Sequence, residues 1–386
     1  MDLICELNKC TGCGMCSNIC PKQAIKMEEG KNGFIFPYID NDLCIDCGIC
    51  KSKCPSNTFK NKGTNVIKTY AGWNKNAAER KKSTSGGIFT VLAKKVIDDG
   101  GVVVGVAWDD SFTPRHVLID TINGLERLQG SKYSQSNTGT IYRQVKDALN
   151  CGKKVLFSGT PCQNAALRMY LGKDYFNLLT IDLVCHGVPS NRMLLDYFNH
   201  FNKRIVNVRL RYKDPYWDYC YVRIDFDEGK PYQELTINDD YFNLFNIGFS
   251  LRESCHECLY ASTYRQSDIT LADFWGYSAH SFKTRNYNRG TSLILVNSEN
   301  GQKVIESIKN NIFIEEISLE KAKKGNKCLS ESFKLDQTKL DAFWSDYNCG
   351  MNVHDLNEKY CAHTFVLPKH LWLRRLYNKY KWLIKK

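Results

Sequence analysis

The sequence predicts three parts: a small cysteine-rich α+β head, an α/β body built on a mixed sheet, and a helical C-terminal extension. Three observations predict this. A dense cysteine run occurs twice near the N-terminus: Cys10, Cys13, Cys16 and Cys20 precede Pro21, and Cys44, Cys47, Cys50 and Cys54 precede Pro55. Helical and strand-like hydrophobic periods then alternate through most of the chain. Beyond about residue 301 the periodic segments are all helical. A chain of 386 residues has room for two or three domains, divided here as 1–62, 63–300, 301–367 and a short tail at 368–386.

Eighteen cysteines and a formal net charge of +12 narrow the class. Such a count points to disulfides or to metal and cluster ligation. Residues 1–10 carry charges and no apolar run of signal-peptide length. No stretch reaches the ~18 apolar residues of a membrane span, and the best run, 100–108, is of strand length. A reducing cytoplasm is therefore expected, with thiols acting as ligands. Charged residues at 24% and hydrophobic residues at 43% suit a globular protein.

Both head runs read C-x2-C-x2-C-x3-C-P and lie 34 positions apart. This is the spacing of bacterial ferredoxins with two 4Fe-4S clusters, in which the fourth cysteine serves the other cluster. Three thiolates two residues apart let one tight turn wrap three corners of a cube. The fourth is expected to open a short helix and reach across. Cys10, Cys13, Cys16 and Cys54 are thus assigned to one cluster, and Cys44, Cys47, Cys50 and Cys20 to the other. Gly12, Gly14 and Gly48 allow close backbone approach. Four-cysteine zinc sites pair two C-x2-C units across a longer spacer, which these runs do not.

The polar stretch 61–65 (NKGTN) reads as a domain boundary. After it, 86–98 reads as a helix and 102–108 as a strand. Next come a helix at 138–150, a strand at 154–157, a helix at 162–171 and a strand at 178–184. A helix at 191–201 precedes strands at 205–212, 220–226, 268–272 and 292–296. No Walker A loop and no G-x-G-x-x-G opening a βαβ unit is present, which argues against an ordinary nucleoside-triphosphate or NAD site.

Several loops carry chemistry. Thr84, Ser85, Gly86 and Gly87 precede an apolar-periodic helix, so they read either as an anion site or as a plain N-cap. Cys162 and Cys185 each follow a predicted strand. If those strands are parallel, both cysteines stand at one sheet edge. With the C-x2-C of Cys255 and Cys258 they form a third set of four, open to a third cluster or to zinc. Alternatively, Cys162 is a nucleophile with His186 as its base. Cys5, Cys151, Cys220, Cys328, Cys349 and Cys361 show no ligand spacing and read as ordinary thiols.

Eight short motifs in order resemble one family. They are Thr84 to Gly87, Ser131-Lys132-Tyr133, Gly159 to Gln163, Cys185-His186-Gly187, Arg211 to Trp217, Cys255 to Cys258, Ala272 to Gly276 and Gly290-Thr291-Ser292. Together with the head, and as far as about Gly301, they resemble the beta subunits of coenzyme F-420-reducing hydrogenase and F-420-dependent formate dehydrogenase. They also resemble their relative 7-hydroxymethyl chlorophyll a reductase. The resemblance implies an FAD that passes a hydride, and a 4Fe-4S cluster near it held by Cys162, Cys185, Cys255 and Cys258. It makes Thr84, Ser85, Gly86, Gly87, Ser131, Lys132, Tyr133 and Thr160 candidates for binding the cofactor. Lys132 and Arg289 become candidate flavin or substrate contacts, with His186 a third candidate for catalysis. For each of these the plain alternative is a solvated charge or a support for a neighbouring ligand.

Segments 302–310 and 331–347 read as helices. The tail 368–386 is basic, with Lys369, Arg374, Arg375, Lys379, Lys381, Lys385 and Lys386 and no acid, and its apolar residues fall near helical spacing. It reads either as peripheral contact with the inner face of an anionic membrane or as a helix packed on its own domain or a partner. These seven cations leave the rest of the chain only mildly basic, which argues against nucleic-acid binding. The sequence therefore predicts an iron–sulfur flavin-dependent oxidoreductase. It would exchange electrons with ferredoxin or another redox protein, act on a small-molecule substrate, and have a second copy of itself as a candidate partner. The substrate would be a deazaflavin-like coenzyme or a metabolite, with surface polysaccharide synthesis one setting. The alternative is a non-catalytic electron-relay component of a larger complex.

Overall fold

Two short antiparallel strands, β1 (Ile25–Glu29) and β2 (Ile35–Ile39), join the halves of the head. Each half holds one cysteine run. Helices Met15–Ile19 and Ile49–Ser52 both begin after a left-handed glycine, Gly14 at φ 73° and Gly48 at φ 69°. A side chain at either position would be strained, so the repeated cysteine-glycine pattern sets the repeated turn. One expectation fails. Cys54 does open a short helix, Pro55–Thr58, but Cys20 stands in extended backbone at the end of its helix. Cys20 is carried across by chain direction alone. The structure, a computed structural model, describes residues 3–58, 63–214, 217, 220–277 and 289–361. Part of the 61–65 boundary and the whole 368–386 tail lie outside the described residues.

The body follows the alternation. Its strands are β3 (Lys68–Asn74), β4 (Val102–Trp108), β5 (Pro114–Ile119), β6 (Val155–Ser158) and β7 (Leu178–Leu183). Then come β8 (Ile205–Tyr212), β9 (Tyr221–Phe226), β10 (Tyr232–Leu235), β11 (Ile269–Asp273), β12 (Ser292–Val296) and β13 (Ile312–Glu316). Eight of them form one mixed sheet in the order β13-β3-β12-β11-β7-β6-β4-β5. β4, β6, β7 and β11 are parallel neighbours, and the rest of this sheet pairs antiparallel. The central strands are buried on both faces: Val102, Val103 and Val104 of β4 and Leu293 to Val296 of β12 are all sequestered. β8, β9 and β10 make a separate three-stranded antiparallel sheet.

The helices of the body obey their caps. Thr160 and Gln163 form a capping box at Pro161–Leu171, with Pro161 in the first turn where its missing N–H costs nothing. The helix expected from 138 begins at Ile141, because Thr138 is used elsewhere, its hydroxyl bonding the Cys13 carbonyl at 3.3 Å. The helix expected at 331–347 is Gln337–Asn348, started by the Asp336 side chain, which accepts the Lys339 N–H at 3.0 Å. The segment beyond residue 301 is not all helical as expected, since β13 lies within it and pairs with β3; its later helices, with Phe343 and Trp344, pack with Phe249 under the small sheet.

Strand direction positions the site. Ser158 of β6 pairs with Ile181 of β7, and Leu183 of β7 with Leu271 of β11. The chain therefore leaves all three strands at one edge, the carboxyl end of parallel strands where open α/β sheets bind ligands. The loops bearing Cys162, Cys185 and Asp273 all begin there. β12 starts at the same edge, Ser292 lying opposite Asp273, and so does the end of β3, where Gly72 lies opposite Ser292. Four of the motifs singled out in the sequence thus converge although they are dispersed over the chain.

Candidate metal centres and cofactor site

Three cavities are walled by cysteines. The inner head cavity is lined by Cys5, Cys10, Cys13, Cys16 and Cys54, the outer head cavity by Cys20, Cys44, Cys47 and Cys50, and the edge cavity by Cys162, Cys185, Cys255 and Cys258. Thr11 lines both the inner head cavity and the edge cavity, so the two are neighbours. Among the described residues, no three or more Cys, His, Asp or Glu are gathered to hold a single metal ion. Four thiolates on one zinc would stand about 3.8 Å apart. These thiols line the walls of cavities instead, a spread that suits a group larger than one ion. Burial pushes Cys13, Cys162 and Cys255 up to about 12, and Cys16 and Cys185 also well above their usual value. Uncharged thiols are what burial favours here, and coordination is what makes thiolates of them.

The nucleophile alternative has no geometry behind it. The Cys162 sulfur lies 3.1 Å from the Thr160 hydroxyl. The His186 ring sits between Phe245 and Phe333, its Nε2 3.1 Å from the Phe245 carbonyl and its Nδ1 3.9 Å from the Cys328 sulfur. Burial also lowers the His186 pKa, favouring the neutral ring.

The head is fastened to the edge through its own backbone. Arg252, only 1% exposed, donates from Nε to the Cys10 carbonyl (2.5 Å) and from Nη1 to the Ile35 carbonyl (3.0 Å) and Gln135 Oε1 (2.9 Å). Gln135 donates to the Thr11 carbonyl (3.1 Å), and the Tyr142 hydroxyl to the Cys13 carbonyl (2.8 Å). Arg143 reaches the carbonyls of Asn18 (2.8 Å) and Ser17 (3.0 Å). A turn that wraps a cluster leaves its carbonyls pointing outward, and these donors satisfy them.

A second group lies at the same edge. Arg211, from the end of β8, pairs with Asp273 at 2.5 Å, bonds the Tyr133 hydroxyl at 3.2 Å and meets the Cys220 sulfur at 3.0 Å. Trp217 donates to the other Asp273 oxygen at 2.7 Å and stacks on Trp275 at 5.2 Å. Burial works against the Arg211 charge, but Asp273, Cys220 and Tyr133 hold it protonated well above its usual range. Its Nη2 is buried with no hydrogen-bond partner. Lys213 donates to the Ser85 carbonyl, and Arg80 to the Gly290 carbonyl at 2.9 Å. Burial, with repulsion from Arg80, pushes Lys213 down to about 7. Three buried cations face one buried acid, which makes the place attractive to an anion.

The expected cradle is partly committed to the protein. The Thr84 hydroxyl accepts the Ser131 N–H at 2.8 Å, the Ser85 hydroxyl donates to the Thr291 carbonyl at 3.0 Å, and the Gly86 N–H reaches the Ser292 hydroxyl at 3.0 Å. A Cβ on Gly86 would lie 2.5 Å from the Gly72 carbonyl oxygen, so this glycine serves close packing against β3. Lys132 bonds the carbonyls of Arg127 and Gln129 at 2.9 and 3.0 Å, and burial pushes it down to about 7. Arg289 is exposed and acts on Arg80 through its charge. The orphaned Arg211 Nη2, the cation excess and the flat Trp217–Trp275 pair fit a planar, anionic group such as FAD. Reading the sequence missed Lys213, Arg80 and Gln135 as site residues. Of these, only Lys213 fell inside a resemblance motif.

Comparison with known proteins agrees in outline. Residues 9–58 match the 4Fe-4S dicluster domain. Residues 69–142 match the N-terminal model, and 152–322 the C-terminal model, of the coenzyme F420 hydrogenase/dehydrogenase beta subunit. A curated relative, one of the subunits of the F(420)H(2) dehydrogenase of Methanosarcina mazei, is 22% identical over 282 residues, covering 68% of this chain and 74% of the relative. A chain in a solved structure of the F420-reducing NiFe hydrogenase complex of Methanosarcina barkeri is similar at 17% identity and TM-score 0.48, over 75% of this chain and 94% of that one.

Proposed function

The chain belongs to the family of coenzyme F420 hydrogenase/dehydrogenase beta subunits, and from that premise we propose that it is an iron–sulfur flavoprotein oxidoreductase. It exchanges single electrons with a redox protein at the head and a hydride with a small substrate at the sheet edge. When bound, 4Fe-4S groups supply one-electron steps and FAD supplies the change from single electrons to a hydride. The observation that carries the reading is the shared edge: Cys162, Cys185 and Asp273 follow or end the adjacent strands β6, β7 and β11, Asp273 draws in Arg211 from the separate small sheet, and the head is clamped onto the same edge.

The chain's own residues divide the work. Cys162, Cys185, Cys255 and Cys258 would hold the edge cluster, and the eight head cysteines the other two. Arg252, Gln135 and Tyr142 hold the inner head cavity against the edge cavity. Arg211 and Lys213 would bind the anionic part of the cofactor, and Asp273 orients Arg211. The outer head cavity reaches the surface at Cys47, rimmed by the exposed apolar Ile45 and Ile49, which suits a one-electron partner. No helix among the described residues is long and apolar enough to cross a membrane.

Anaerobically purified protein tests this. It is expected to carry iron and an absorbance near about 450 nm that bleaches on reduction. Arg211→Ala should lose the 450 nm band and keep the iron. Protein that carries iron but never takes up flavin would leave only the relay reading.

A further inference from the structure

We propose that Cys5 is a reserve ligand of the inner head cavity, able to replace Cys54 or Cys10 on the iron that either serves. The inference rests on the reading that this cavity holds a 4Fe-4S group. Five thiols line the cavity, Cys5 joining Cys10, Cys13, Cys16 and Cys54, whereas a cube offers four corners. The Cys5 thiol is within hydrogen-bonding contact of both Cys10 and Cys54. The outer head cavity is lined by four cysteines only, among the described residues. The two halves of the head are otherwise repeats, so the fifth thiol is an addition to one of them.

The local chain holds Cys5 in place. Ile4 is 3% exposed and its carbonyl accepts from Asn57 Nδ2 at 2.8 Å, which pins the N-terminal segment to the short helix opened by Cys54. The Ser56 hydroxyl donates to the Lys9 carbonyl at 2.8 Å and fixes the other end of the segment. Between these anchors the turn at Leu7–Lys9 leads into Cys10. Cys5 is thus tied to the two cysteines it touches, not merely near them.

The exchange balances within the site. The Fe–S bond to Cys54 breaks, one to Cys5 forms, and the Cys5 proton passes to the departing Cys54 sulfur. No electron is gained or lost and the net charge is unchanged. The same holds for Cys10. The thiol contact that permits the exchange also provides the route for the proton.

Iron and acid-labile sulfide per chain decide the matter, measured on full-length protein made anaerobically. Cys54→Ala is expected to keep the wild-type iron count, and so is Cys5→Ala. The double variant Cys5→Ala/Cys54→Ala should lose about one to four irons. Cys44→Ala in the outer cavity, which has no fifth thiol, should lose them as a single variant. Cys10→Ala is the parallel test if the Cys54 variant does not fold. The proposal is overturned if both Cys54→Ala and Cys10→Ala lose as much iron as their doubles with Cys5→Ala, or cannot be obtained with their iron. Wild-type protein without iron would instead remove the cluster reading beneath it, which is a separate result.

Discussion

The head and the sheet edge reach similar donor sets by opposite routes. Each head cavity takes three cysteines from one short run and a fourth from the other run. The edge cavity gathers Cys162, Cys185 and the Cys255–Cys258 pair from loops that strands β6 and β7 and the segment before β11 bring together. In the head, local turn geometry does the positioning, and the sheet edge needs the whole body to be folded. The difference shows in the surroundings. The head offers mainly backbone to what it binds, whereas the edge is furnished with buried side-chain charges.

This contrast sets where damage should be greatest. Arg211→Ala leaves the largely buried Asp273 without its counter-ion and with only the Trp217 hydrogen bond, and a loss of about 3 kcal/mol in unfolding free energy is expected from the urea midpoint. The double variant Arg211→Ala/Asp273→Ala should recover most of it. A loss below about 1 kcal/mol for the single variant would mean the edge charges are not structurally coupled as described.

The seam between the two regions answers to pH. His116 is fully buried against Phe157, its ring nitrogens lack partners, and burial lowers its pKa to about 4. Its backbone N–H bonds the Asn137 carbonyl at 2.9 Å, in the loop that carries Gln135 and Thr138 to the head. The unfolded chain takes up the proton first, near pH 6.5. The contribution of His116 to stability is therefore complete above pH 6.5 and is lost as pH falls toward 4, by about 3 kcal/mol. His116→Phe should flatten that part of the pH–stability curve. If the variant and wild type follow parallel curves between pH 6.5 and 4.5, the buried neutral histidine is wrong.

The smallest expected effect lies at the head itself. Tyr142→Phe removes one hydrogen bond to the Cys13 carbonyl, which keeps the Thr138 hydroxyl at 3.3 Å, and should cost about 1 kcal/mol. Its value is in direction: increased proteolysis of the head with the body unchanged would show that the carbonyl clamps hold the two together, and uniform loosening would not.

Much of this was legible in the sequence. The strand readings at 102–108, 205–212 and 292–296 coincide with β4, β8 and β12, because buried strands are continuous apolar runs and β8 alternates along its length. Helix starts were less legible. Thr138 and the segment after Glu331 look helical in composition, but side-chain bonds made to distant residues hold them outside the helices. Cys5 looked like an ordinary thiol because its neighbours in space, Cys10 and Cys54, give no joint spacing signal.

By itself the sequence determined the head, since ligands two residues apart on a glycine-started turn are a local instruction that needs no distant partner. It also determined that the body alternates helix and strand. Only the tertiary structure decided that Arg80, Arg211 and Lys213 meet beside Thr84 to Gly87, that Arg252 and Gln135 clamp the head at the same edge, and that a fifth thiol reaches the inner cavity. Those juxtapositions depend on strand order and direction, and hydrophobic period fixes which residues form a strand without fixing which strand lies beside it.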